Sequence, residues 1–341
     1  MVKPSRPPAM TDVARLAGVS HQTVSRVLNE DPRVTPRTRV AVLAAVEELG
    51  YRRNLTARAL ATGRSRMLGV ISFDANIYSA GCVVTGVEHA ARAAGYFVSI
   101  VSLAQLDEAA IADAAHELRH QGVDGIVVIS PESSAVDTLV QLSSLVPVVT
   151  VDGALRDDLA HVGLDQHRGA VLATEHLLSL GHATVWHIAG PPQWAESVTR
   201  QQGWRDVLTA AGREVPPALT GDWSARSGYE AGTLLGRMRD LTAVFAANDQ
   251  MALGLCRSLA EQGHRVPQDV SVVGFDDIPE AAYLTPPLTT VRQDFSALGA
   301  AAFTAVRERI DAEPDTDPGS MVPTVLQPDL VVRTSTAAPA G

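Results

Sequence analysis

Cysteine is nearly absent from the chain. Cys82 and Cys256 stand far apart without metal-ligand spacing, which excludes a disulfide framework and a zinc knuckle and leaves them as packing residues. No apolar run reaches the roughly 18 residues needed to span a bilayer. No basic, apolar leader ending in small residues opens the sequence, so the expectation is a cytoplasmic protein with no membrane partner. The motifs G-x-G-x-x-G, G-x-x-x-x-G-K-[ST] and G-x-S-x-G are also missing, so no catalytic residue and no cofactor is expected. One enzyme-like string is present, His116-Glu117-Leu118-Arg119-His120, which matches the H-E-x-x-H zinc-protease pattern. Val123 and Ile126 stand where the longer metalloprotease signature calls for Gly and His, and Gly122 ends the helix just before a strand. The string therefore reads as a solvated helix face, with no metal expected.

With 341 residues and 46% hydrophobic content, the chain can bury a large core in two or three folding units. Its net charge of -10 is unevenly spread. Residues 1–66 carry 12 basic and 5 acidic side chains, a net of +7, while the other 275 hold 16 basic and 33 acidic ones, a net of -17. Phosphate attraction depends on local positive charge, so the split fits a nucleic-acid-binding head on an acidic body. Charge alone would equally fit a solvated basic tail.

The run from Thr11 to Asn29 separates these readings. Thr11 is suited to cap a helix whose apolar side is Val13, Ala14, Leu16 and Ala17; Gly18 turns the chain, and Ser20 caps a second helix with Val24, Val27 and Leu28 inward. A third helix over 36–49 would close the core with Val40, Leu43, Ala44 and Val46. This spacing predicts a helix-turn-helix. It leaves His21, Gln22, Ser25 and Arg26 directed outward, where polar side chains can reach base edges in a major groove.

The full string from Thr11 to Asn29 resembles the lac repressor (LacI/GalR) family of bacterial regulators, and the likeness continues through Glu48-Leu-Gly-Tyr-Arg-Arg-Asn-Leu-Thr-Ala-Arg-Ala-Leu-Ala. The resemblance implies DNA contacts at Thr11, Ser20, His21, Gln22, Thr23, Ser25, Arg26 and Asn29. It also implies a hinge helix with Asn54, Ala57, Leu60 and Ala61 at the DNA, Leu60 acting as a minor-groove wedge that kinks the duplex. Read without the resemblance, the hinge stretch could equally be a linker.

After the hinge, apolar runs at 67–73, 97–102, 125–130, 147–151, 185–189, 243–247 and 270–275 alternate with helical stretches such as 83–94 and 169–180. Such runs predict buried parallel strands in an α/β fold, whose ligands sit at the carboxyl ends of the strands. Asp152, Asn248, Asp249, Asp276 and Asp277 stand at those ends, where each could instead be the N-cap of the next helix. Taken with Arg200, Gln293, Trp223 and Phe295 they form a set suited to a sugar: polar groups for hydroxyls and flat rings for the C–H face.

The family likeness is strongest over Gly221-Asp-Trp-Ser-Ala-Arg-Ser-Gly-Tyr, Ala247-Asn-Asp-Gln-Met-Ala-Leu-Gly, Ser271-Val-Val-Gly-Phe-Asp-Asp and Pro286-Pro-Leu-Thr-Thr-Val-Arg-Gln-Asp-Phe. It implies a small all-α headpiece at 1–52, a hinge at 53–65 and a two-lobed periplasmic-binding-protein-like α/β core at 66–335, with a disordered tail at 336–341. The first lobe would hold about 66–165 and 294–323, and the second about 166–293 and 324–335. By resemblance, Asp152, Arg200, Asn248, Asp276 and Gln293 match hydroxyl-binding positions and Trp223 and Phe295 aromatic ones, in a cleft for a galactoside-type inducer. The sequence departs from the member that names the family in two places. After the first core strand it reads Phe73-Asp-Ala-Asn-Ile-Tyr78-Ser, with Phe73 and Tyr78 in place of small and aliphatic side chains; and no leucine heptad follows Val331-Val-Arg-Thr, so a homodimer on a near-palindromic DNA operator is expected. A repressor that answers to a purine corepressor, or a sugar-binding enzyme or transporter component, are the alternatives.

Overall fold

The computed structural model describes residues 8–28, 31–51, 63–73, 78–104, 108–129, 135–153, 158–312 and 323–339. Two compact units, Met1–Ser65 and Arg66–Gly341, divide the chain. Among the described residues no helix is long and apolar enough to cross a membrane.

Among its described residues the first unit contains three helices, α1 (Met10–Ala17), α2 (His21–Leu28) and α3 (Pro36–Leu49), around a core of Val13, Ala14, Val24, Val27, Val42 and Ala45. Gly18 joins α1 to α2 at φ 66°, a left-handed conformation that costs a residue without Cβ little. The cap of α1 is Ala9 and not Thr11: the Asp12 carboxylate accepts the Ala9 N–H at 2.9 Å, and Thr11 falls exposed in the first turn. Ser20 does cap α2, its Oγ accepting the Thr23 N–H at 3.1 Å. In α3 the inward face matches the expected one only at Val46. Val40 (68% exposed), Leu43 and Ala44 face solvent, while Val42, Ala45, Val46 and Leu49 pack inward. Both stripes have helical spacing and similar apolarity, so periodicity alone could not choose between them. Leu16 of α1 is likewise 46% exposed. The turn into α3 is held by Arg39, whose Nη2 donates to Asp31 O at 2.9 Å.

The described residues of the second unit form two six-stranded sheets with helices on their faces. In chain order the strands are β1 (Met67–Phe73), β2 (Phe97–Leu103), β3 (Gly125–Ile129), β4 (Val148–Val151), β5 (Ala160–Leu164), β6 (Trp186–Ala189), β7 (Leu219–Thr220), β8 (Ala243–Ala246), β9 (Ser271–Asp276), β10 (Thr289–Arg292), β11 (Thr324–Leu326) and β12 (Asp329–Val331). The first sheet runs β11-β5-β4-β3-β1-β2 with every pair parallel; the second runs β12-β10-β9-β8-β6-β7, antiparallel only at β10–β12.

Alternate residues of each strand point to opposite faces, and both faces are covered by helices, so both sets are apolar. In the first sheet Val70, Val127 and Val149 meet α4 (Tyr78–Ala93) and α11 (Phe295–Asp311). Ile71, Ile126 and Val148 meet α5 (Glu108–His120) and α6 (Val136–Ser143) on the other side. The second sheet packs against α7 (Gln166–Ser179) and α8 (Ala195–Ala210) on one face, and against α9 (Ala225–Leu235) and α10 (Asp249–Glu261) on the other. The α9–α10 crossing is close enough that a Cβ on Gly254 would lie 1.7 Å from Ala225 O.

The chain passes between sheets at three places: between β5 and α7, between β10 and α11, and between β11 and β12. The last lies later than expected, because β11 pairs with β5 and so belongs to the first lobe. Nor are 336–339 a loose tail. Ser271 Oγ donates to Ala337 O at 3.0 Å, Thr336 Oγ1 meets His176 Nε2 at 2.9 Å, and Ser335 is fully buried.

Candidate functional site

The carboxyl ends of both sheets converge on a cavity open to solvent, about 410 Å³ with the open space included, lined by Ser79, Asp152, Gln166, Trp194, Glu196, Arg200, Trp223, Asn248, Asp276 and Phe295. Asp152 follows β4, Asn248 follows β8 and Asp276 ends β9, as the strand-end rule requires.

Arg200, on the buried side of α8, organises one wall. Its guanidinium lies 3.8 Å from the centroid of the Phe275 ring; Nε donates to Gln166 Oε1 at 2.8 Å, and Nη1 donates to Ala247 O at 2.5 Å and pairs with Asp276 Oδ1 at 3.6 Å. Gln166 Nε2 donates to Gln293 Oε1 at 2.9 Å, and Gln293 Nε2 donates to Asp276 Oδ1 at 2.6 Å. All four side chains are buried. Burial pushes the Asp276 carboxyl up to about 6, opposed by Arg200 and Gln293.

Across the cavity, Asp152 of the first lobe faces Glu196 of the second. Asp152 Oδ1 accepts the Leu164 N–H at 3.0 Å, and Glu196 Oε1 accepts the Gly153 N–H at 3.0 Å. Burial pushes Asp152 up to about 7, and the Glu196 carboxylate adds to the rise against Leu164, Arg200 and Gln166. Three buried carboxylates thus share one guanidinium, which leaves the cavity negative and hostile to anions.

The aromatic wall is a corner formed by Trp194 and Trp223, with ring centroids 6.3 Å apart at 81°. Trp223 adopts φ 71°, and Gly190 leaves room for it, since a Cβ there would lie 2.2 Å from the indole ring. Trp223 Nε1 is buried with no hydrogen-bond partner among the described residues. Phe295 closes the first-lobe side, with Tyr78 packed edge-on at 6.0 Å.

Of the residues expected here, Asp152, Arg200, Trp223, Asn248, Asp276 and Phe295 line the cavity. Gln293 stands behind Asp276, and Tyr78 behind Phe295. Asn248 is also a cap: its Oδ1 accepts the Met251 N–H at 2.9 Å while Nδ2 donates to Trp223 O at 3.0 Å. Asp249 and Asp277 are structural, Asp249 accepting from Thr290 Oγ1 and Ile278 N–H, and Asp277 bound to Arg292 and Arg333. Phe73 has no described side chain. Ser79, Gln166, Trp194 and Glu196 were missed, although Trp194 and Glu196 obey the strand-end rule after β6.

In the headpiece, His21, Gln22 and Arg26 are exposed on α2, with Ser25 half-buried. Ser20 Oγ and Thr23 Oγ1 lie 2.9 Å apart in the capping turn. Asn29, Asn54, Ala57, Leu60 and Ala61 lie outside the described residues. His116 and His120 stand one turn apart on the exposed side of α5, and no group of three side chains that could hold a metal occurs among the described residues.

A helix-turn-helix headpiece and a two-lobed α/β core around a polar cleft together define a DNA-binding transcriptional regulator that answers to a small molecule. Residues 9–54 match the model for bacterial regulatory proteins of the lacI family, and residues 174–336 match a periplasmic binding protein-like domain. The chain is 35% identical to the lactose operon repressor of Escherichia coli (strain K12), over 86% of this chain and 82% of that one. It is 36% identical to the HTH-type transcriptional regulator CelR of Thermobifida fusca, over 97% and 98%. With the HTH-type transcriptional repressor PurR of Pasteurella multocida it shares 33%, over 95% and 97%. The crystal structure of the lac repressor dimer bound to operator and the anti-inducer ONPF superposes with a TM-score of 0.86 at 33% identity, covering 98% of this chain and all of that one. A CelR–cellobiose complex gives 0.71 at 33%, covering 96% and 99%. The chain belongs to the lacI family of bacterial regulatory proteins, and it is a regulator and not an enzyme.

Proposed function

We propose that this chain is a dimeric repressor that holds a near-palindromic operator and releases it when a neutral sugar fills the cleft. The observation that supports this is the pairing of two walls. One is the buried Arg200–Asp276–Gln293–Gln166 set, which offers oriented donors and acceptors to adjacent hydroxyls; the other is the Trp194–Trp223 corner, which can cover a C–H face. Asp152 and Glu196 supply further acceptors, and the unpartnered Trp223 N–H a further donor. The surplus of carboxylates disfavours phosphorylated effectors. A galactoside is the first candidate, and the likeness to CelR makes cellobiose the second. His21, Gln22 and Arg26 read the operator bases, and Leu60 wedges its centre.

The test is calorimetry against lactose, galactose, cellobiose, hypoxanthine and guanine, paired with operator gel shifts. A sugar that binds wild type, loses most of its affinity in Asp276→Asn, and lowers operator affinity supports the reading. Binding of a purine alone, through the same residues, replaces the sugar by a corepressor and leaves the regulator intact.

A further inference from the structure

The two residues at the first crossing, Asp165 and Gln166, touch both other crossings. The Asp165 N–H donates to Leu326 O at 2.9 Å, and Gln327 Nε2 approaches Asp165 Oδ2 at 3.5 Å, which ties the first crossing to the third. Gln166 Nε2 donates to Gln293 Oε1 at 2.9 Å, which ties the first to the second. Gln166 Oε1 also accepts from Arg200 Nε at 2.8 Å, so the same side chain reaches the cavity wall.

The direction of these bonds is fixed. Guanidinium can only donate, so Gln166 must present its oxygen to Arg200 and its NH₂ to Gln293. Gln293 then has its oxygen engaged and must present its NH₂ to Asp276, whose ionised carboxylate only accepts. Asp276 closes the ring on Arg200. With every member buried, flipping either amide would set two acceptors or two donors against each other, a costly arrangement away from water.

We propose that Gln166 is the positioning residue through which occupancy of the cleft is read by the three lobe crossings. This rests on the reading of the cleft as the effector site. An effector hydroxyl that donates to Asp276 or accepts from Arg200 changes the charge balance of a ring whose other half is built into two crossings, and Asp165 carries the change to the third. Gln166 thereby sets how strongly binding and lobe rotation are coupled.

Two variants separate the relay from simple anchoring of Arg200. Gln166→Leu removes both bonds. Gln166→Glu keeps an acceptor for Arg200 but cannot donate to Gln293; Gln293 must flip, and its oxygen then opposes Asp276. Sugar affinity is measured by calorimetry with lactose and cellobiose, and operator affinity by titration with and without saturating sugar. Wild type should show a release factor within the about 5–150-fold usual for coupled sites. In Gln166→Glu the release factor should fall towards 1 even at sugar concentrations that calorimetry shows to fill the variant's cleft. Normal release in Gln166→Glu, or equal loss of sugar binding in both folded variants, overturns the proposal. Hydrogen exchange on sugar-free protein gives an independent reading. Peptides covering 290–296 and 324–330 should exchange faster in Gln166→Leu than in wild type, and unchanged exchange overturns the relay whatever the sugars do. Absence of sugar binding in wild type, with faster exchange in the variant, would refute the sugar and leave the staple standing.

Discussion

Asp152→Asn is the most informative single change, because the oxygen that accepts from Leu164 is kept while the titrating proton is removed. In the folded protein the Asp152 carboxyl is pushed up to about 7 from an ordinary 3.8. The folded state therefore takes up the proton first, and acidification through pH 7 stabilises it relative to the unfolded chain. At about 1.36 kcal/mol per pH unit, the two units from 7 to 5 contribute about 3 kcal/mol. Asp276, pushed up to about 6, acts in the same sense and adds about 1 kcal/mol. Four buried or half-buried histidines act in the opposite sense, His176 and His182 among them. His161 and His187 are pushed by burial from 6.5 down to about 4, so the unfolded chain gains protons first, and each withdraws about 2 kcal/mol between pH 6.5 and 5. Asp249, also pushed up by burial, acts in the same sense as Asp152 and Asp276, so the wild-type profile sums several groups and only its difference from the variant isolates Asp152. The variant lacks one stabilising contribution and should fall by about 3 kcal/mol relative to wild type between pH 7 and 5. Urea unfolding at each pH measures it, and taking the difference between the two proteins removes the shared histidine contribution. Parallel profiles would refute the argument that a buried carboxyl facing Glu196 holds its proton near neutrality. Glu196→Gln should shrink the same contribution by relieving the repulsion.

Arg26→Ala should weaken specific operator binding by about 1–3 kcal/mol if Arg26 pairs with a guanine edge, and an unchanged gel shift removes it from the reading face. Gly190→Ala places a methyl against the Trp223 ring, so tryptophan fluorescence should change and the sugar should bind at least about tenfold more weakly, while the cost in stability stays within about 1–3 kcal/mol. Gly254→Ala drives a Cβ into the Ala225 carbonyl, which is backbone and cannot swing aside; a loss of about 2 kcal/mol or more in thermal unfolding is expected, and a neutral result would mean that the α9–α10 crossing is looser than described.

The strands that were legible in the sequence are those apolar on both faces, such as β3 (GIVVI) and β4 (VVTV). The strand β5 was hidden by His161, a polar letter buried beside Thr150. Likewise β10 was hidden by Thr289 and Thr290, which are buried because Asp249 gives the Thr290 hydroxyl an acceptor. Such a strand is polar in composition and apolar in environment, and only its distant partner reveals the difference. The same holds for the site. Asp152 and Asp276 could be found because they stand at strand ends, Trp223 because it falls in a string that resembles the family, and Arg200, inside α8, through the resemblance alone. Gln166 reads as an ordinary first residue of a helix, and its partners Arg200 and Gln293 are 34 and 127 positions away. Periodicity also failed on α3, where two apolar stripes compete and tertiary packing decides.

The three crossings have a consequence for the order in which the nascent chain can fold. The core of the first lobe includes Phe295, Leu298, Ala302, Phe303 and Val306 of α11, and its sheet takes an edge strand from 324–326. Its own early segment, 66–165, emerges from the ribosome with one flank uncovered and must wait for about 130 further residues before α11 arrives, some seconds at usual synthesis rates. The second lobe, begun later, has most of its two flanks within the continuous stretch 166–293 and can close first. The lobe translated first is thus the one completed last. Its exposed strands in the interval, β1 through β5, make the half-synthesised chain the species on which a holding chaperone would act.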